Sequence, residues 1–107
     1  MKLLFAIVNK DDANYVNTGL NKSGFMATKI ASTGGFLMNG NTTFMIGVKD
    51  EDVDAVIEII SHFSKKRIVS LPADPVYNPA VMDGYPLKIT VGGATIFVLN
   101  VERFEHI

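Results

Sequence analysis

The 107-residue chain contains no cysteine. That excludes a disulfide framework, a thiol nucleophile and any zinc or iron–sulfur site built on thiolates. It carries no surplus of either charge: ten Lys and Arg stand against eleven Asp and Glu, a formal net charge of -1. Proteins that wrap duplex nucleic acid or skim a membrane show a basic excess. DNA, RNA and membrane insertion are therefore not expected. No apolar run approaches the ~20 residues of a membrane-spanning helix. The opening MKLLFAIVNKDD is short for a span and lacks the small-residue cleavage site of a secretory leader, so a cytoplasmic location is expected.

Catalytic signatures are missing too. There is no Walker A run, GxGxxG, HExxH or GxSxG. The two histidines, His62 and His106, stand apart, each without a carboxylate at ligand spacing. The acidic clusters at 11–12 and 50–54 fall at predicted helix starts, where capping explains them better than paired-carboxylate chemistry. No base is spaced to activate a serine or threonine. Binding groups are present and a catalytic constellation is not, so a non-enzymatic protein without cofactor or metal is expected.

Hydrophobic residues make up 48% and charged residues 20%, ordinary globular values. The length fits one domain, residues 1–107, burying roughly 65% of the unfolded chain's surface. Residues 3–8 form a continuous apolar run, predicting a strand covered on both faces. Asp11 and Asp12 open a helix over 12–23, with Ala13, Val16 and Leu20 at helical spacing and Gly24 as its stop. Residues 25–33 and 42–48 read as strands around a turn-rich segment. Asp50, Glu51 and Asp52 cap a second helix with Val53, Val56, Ile57 and Ile60 on one stripe, and Lys65, Lys66 and Arg67 complement its dipole. Residues 87–99 form a last strand, bent or bulged at Gly92 and Gly93. The order β-α-β-β-α-β predicts an α+β, ferredoxin-like fold.

All four prolines, Pro72, Pro75, Pro79 and Pro86, fall within residues 68–86, a long loop for so small a chain. Two helices cover only one face of a four-stranded sheet. The apolar side chains of residues 3–8 and 95–99 occupy both faces. Another copy of the chain in a closed ring is the expected cover; the loop at 68–86 is the alternative.

Residues 24–47 concentrate small polar groups, glycines and an aromatic ring at a strand–loop–strand unit. Thr28 offers a hydroxyl, Gly34 and Gly35 permit close backbone approach, and Asn41 both donates and accepts. Phe36 and Leu37 are apolar where a loop is expected, so something covers them. The set suits a flat base with phosphate oxygens, but on spacing alone a hairpin whose Phe36 packs on a neighbouring subunit is the better fit.

The stretch Ala27-Thr-Lys-Ile-Ala-Ser-Thr-Gly-Gly-Phe-Leu, followed by Gly-Asn-Thr-Thr-Phe-Met-Ile-Gly47, resembles the cyclic-di-AMP receptors of the PII-like signal transduction family. The start at residues 2–8 and the end at residues 91–99 resemble the same family. The resemblance implies a PII-like homotrimer that binds the cyclic dinucleotide in clefts between subunits and switches its long loop toward a downstream protein partner. It implies a phosphate contact for Thr28 and adenine contacts for Gly35, Phe36, Leu37 and Asn41. It also implies backbone room at Gly47, a base-packing ring at Phe97 and a donor at His106, where the family carries glutamine. Ala27, Lys29 and Thr33 match as framework. Met26 and Gly24 depart from the family's arginine and asparagine. A lost hydrogen bond to charge weakens binding by roughly ten- to a hundred-fold. That leaves open a sensor of ATP, ADP or another adenine nucleotide, compensation by Lys29 or a loop residue, and a trimeric interaction module that binds no nucleotide.

Overall fold

A computed structural model describes residues 1–30, 40–70 and 88–107. Strand β1 (Lys2–Asn9) alternates: Leu4, Ala6 and Val8 are buried while Leu3, Phe5 and Ile7 are half-buried on the opposite face. Helix α1 (Lys10–Lys22) follows at once, its N-terminus capped by Asn9, whose side-chain oxygen accepts from the Asp11 N–H at 2.9 Å. It buries Ala13, Val16 and Leu20 against the sheet. Strand β2 (Ala27–Ile30) is shorter than the residues 25–33 expected, of which 31–33 lie outside the described part. Strand β3 (Asn41–Val48) buries Thr42, Phe44, Ile46 and Val48. A 3-10 turn (Asp50–Asp52) leads into helix α2 (Val53–Phe63), whose Val56 and Ile60 are buried and whose Val53 and Ile57 pack beside them, the stripe expected. Gly19 allows the two helices to approach, since a side chain there would run into the Phe63 ring.

The region expected to be one bent strand is two. Strand β5 (Lys88–Val91) pairs with β4 (Arg67–Ser70), and β6 (Ala94–Asn100) joins the main sheet. Gly92 and Gly93 lie between them with φ of +87° and +80°, a left-handed pair that turns the chain from one sheet to the other. A bulge would have kept both halves in one ladder. The loop placed at 68–86 accordingly begins with strand residues, and 71–87 lie outside the described part.

The main sheet runs β2-β3-β1-β6 with β1 antiparallel to both neighbours. This is the split βαβ order, an antiparallel α+β arrangement with two helices on one side. The helix-facing side holds the core: Leu4, Ala6, Val8, Phe44 and Ile46 against Val16, Leu20, Val56 and Ile60. Each of these side chains except that of Ala6 contributes about 1.5–3 kcal/mol on burial. Among the described residues no helix packs on the other side of the sheet. Among the described residues, no helix is long and apolar enough to cross a membrane.

Two charge assignments differ from expectation. Asp12 does not cap α1; it is buried, and Arg67 donates to its two oxygens at 3.0 and 3.2 Å. Arg67 thus starts β4 and serves α1, and does not extend the end of α2. No side-chain cap bond forms at Asp52, and Asp50 instead holds the Met1 ammonium at 2.9 Å.

Candidate functional site

Strand pleating decides which candidates share a face. Thr28 stands opposite Met45, Met45 opposite Phe5, and Phe5 opposite Phe97. These four residues form one cross-strand row on the side of the sheet away from the helices. A second row holds Gly47, Leu3 and Leu99, and Asn41 stands opposite Asn9 at one end. Thr28, Asn41, Gly47 and Phe97 therefore all belong to the face away from the helices. Lys29, opposite buried Phe44, points to the other side.

These positions are brought to one face but not to one point. Thr28 and Phe97 are three strand spacings apart, about 14 Å. Asn41 and Gly47 are six residues apart on β3, about 20 Å. Gly35, Phe36 and Leu37, with Thr33, lie outside the described residues. His106 is exposed in the tail after β6.

Three depressions mark this surface. A shallow one of about 430 Å³ is lined by Phe5, Ile7, Thr43, Phe97 and Leu99. It is almost wholly apolar at its floor, with Phe97 48% and Leu99 45% exposed. At one end of the sheet a cleft of about 410 Å³ holds Asn9, Asn41, Lys66, Thr90, Gly93 and Thr95. At the other end a cleft of about 530 Å³ joins Gly24, Met26, Gly47, Lys49 and Phe104. Met26 is 86% exposed there. The departures at Gly24 and Met26 thus share a cleft with Gly47. A larger cleft of about 560 Å³, between α2 and the start of β2, is lined by Phe25, Ile59, His62 and Phe63 and contains none of the candidates.

Lys66 and Arg67 read in the sequence only as cations after the second helix, and Phe104 has no reading there, yet Lys66 and Phe104 line candidate clefts and Arg67 lies beside Gly92 in the wall of one. No periodic pattern marks them, since Lys66 precedes β4, which begins at Arg67, and Phe104 follows β6. Among the described residues no group of three His, Asp or Glu side chains could hold a metal ion.

A model of the cyclic-di-AMP receptor family matches residues 1–107, the entire chain. The chain belongs to the cyclic-di-AMP receptor family. Among solved structures it is similar to a functionally unknown protein from Pediococcus pentosaceus ATCC 25745, with 43% identity, a TM-score of 0.76, and coverage of 99% of this chain and 96% of that one. Family membership supports a signalling protein with a cyclic dinucleotide ligand.

Proposed function

We propose that this protein is a non-enzymatic receptor that binds cyclic-di-AMP in clefts between the copies of a homotrimer. The observation that carries the reading is the family match over all 107 residues. The geometry supports it in two ways. The sheet face away from the helices is apolar along Leu3, Phe5, Phe97 and Leu99, which fits cover by another copy. Thr28 and Phe97 lie at opposite edges of the sheet, which fits a ligand held by one edge of each of two chains. In this reading Thr28 contacts phosphate, Gly35, Phe36, Leu37 and Asn41 contact adenine, Gly47 gives backbone room, and Phe97 and His106 complete the site from a neighbour. Binding then reorders the segment between β4 and β5 toward a protein partner.

Met26 favours one second reading. An exposed thioether where the family places an arginine removes a charged donor from the Gly47 end, so a smaller adenine nucleotide is the competing ligand. Displacement of a fluorescent cyclic-di-AMP analogue separates the two. The receptor reading predicts displacement by unlabelled cyclic-di-AMP and not by ATP, ADP or cyclic-di-GMP at equal concentration. Failure of the analogue to bind, with a fluorescent ATP analogue bound and displaced by ATP in its place, would replace it with a mononucleotide sensor.

A further inference from the structure

The ribbon of β4 and β5 leaves the body at one place. There Arg67 forks onto Asp12, its Nη1 and Nη2 at 3.2 and 3.0 Å from the carboxylate oxygens, and also donates to the Lys65 carbonyl at 3.3 Å. Asp12 is 5% exposed. A planar guanidinium on a carboxylate fixes direction as well as distance, which an ammonium does not. The same corner is closed by Gly93, whose N–H donates to the Ser64 carbonyl. Gly92 fills it without a side chain: a Cβ would come within 2.5 Å of the Lys65 carbonyl oxygen and 2.8 Å of Arg67 Nη1.

This corner meets the Asn41 cleft from two directions. Thr90, Val91, Gly92 and Gly93, which form the ribbon's end and its turn, line one wall. Asn9 and Asn41 line the other, and Asn9 caps the helix that carries Asp12, with the Lys10 N–H donating to the Gly40 carbonyl. Lys66 and Arg67 divide the work: Lys66 enters the cleft with its stem along Gly93, and Arg67 reaches α1. The width of the cleft therefore follows the angle at which the ribbon is held.

We infer that the Asp12–Arg67 pair is a positioning latch: it sets the ribbon wall against Asn41 and so tunes the affinity of the cleft for an adenine nucleotide. The ligand half of this inference rests on the receptor reading; the latch half does not. Neither residue is placed in contact with ligand.

The test uses the full chain and the double variant Asp12→Asn with Arg67→Gln, in which Asn keeps the shape of Asp, the shorter Gln removes the fork, and no buried charge is left orphaned. Hydrogen exchange at residues 88–91 and cyclic-di-AMP affinity are measured on both proteins, with melting temperature as the fold control. The latch predicts faster exchange at 88–91, a melting temperature within a few degrees, and affinity weaker by roughly five-fold or more, the lower range of measured couplings between sites. With Asp12 kept, Arg67→Lys recovers part of that affinity, since it restores charge without the fork. Unchanged exchange at 88–91 overturns the latch, whatever the ligand does. Faster exchange with unaltered affinity overturns the positioning role and leaves the receptor reading intact. Wild-type protein that binds no cyclic-di-AMP overturns the receptor reading and the ligand half together, and exchange alone then decides the latch.

Discussion

Thr28 and Phe97 lie in a single row across the sheet, one at each edge, with Met45 and Phe5 between them. They are separated by about 14 Å within one chain, and in the proposed trimer they would close on a common ligand where the β6 edge of one copy meets the β2 edge of another. Subunit mixing tests this. Thr28→Ala and Phe97→Ala proteins should each bind cyclic-di-AMP weakly. After unfolding and refolding together in equal amounts, roughly a quarter of the sites should regain wild-type affinity, because random assembly of a closed ring pairs an intact Thr28 with a neighbour's intact Phe97 at that frequency. If no high-affinity fraction returns, both residues act within one chain or not at all.

Met26 is 86% exposed in the cleft with Gly47 and Phe104. Its replacement should cost the fold little, since exposed substitutions usually stay within about 0.5 kcal/mol. Met26→Arg should strengthen cyclic-di-AMP binding by roughly ten-fold or more, the equivalent of one hydrogen bond to a charged group. Unchanged affinity would place the phosphates away from this end of β3.

Gly92 should tolerate no side chain. Its φ of +87° is unfavourable for other residues, and a Cβ would meet the Lys65 carbonyl oxygen at 2.5 Å. Gly92→Ala should lower stability in urea by about 1–3 kcal/mol, the cost of such backbone strain, and should loosen β5 first. A loss under 0.5 kcal/mol would mean that the corner relaxes freely.

Asp50 titrates below its ordinary value of 3.8, chiefly because the Met1 ammonium donates a hydrogen bond to it, with Lys2 adding attraction and desolvation opposing. The sign follows. A depressed folded value stabilises the chain above the unfolded carboxylate pKa, and that contribution fades as pH falls through the lower folded value. Carboxyl chemical shifts should therefore place the Asp50 midpoint below 3.8. Acetylating the N-terminus should move it upward; an unmoved midpoint would assign the shift to another source.

Local signals were legible in the sequence wherever one residue's chemistry settled its place. The run at residues 3–8, the Val56 and Ile60 stripe and the strand read at residues 42–48 each led to an observed element. The βαββαβ order follows from them. The extra ribbon was not legible. Gly92 and Gly93 suit a bulge as well as a change of sheet, and only the pairing of residues 67–70 with 88–91, far apart in sequence, decides between them. The Asp12–Arg67 pair was hidden for a related reason. A first-turn aspartate and a cation after a helix each have a sufficient local explanation, while their real partners lie 55 residues apart. Site residues were named from resemblance to family motifs, and pleating adds what the motif lacks: Thr28 and Lys29, adjacent in the same motif, serve opposite sides of the sheet.

The most direct measurement is isothermal titration calorimetry of the wild-type chain with cyclic-di-AMP, with cyclic-di-GMP and ATP titrated in parallel. The account predicts saturable heat with cyclic-di-AMP alone, at one ligand per chain. Absence of heat with cyclic-di-AMP, or saturation by ATP in its place, would contradict it.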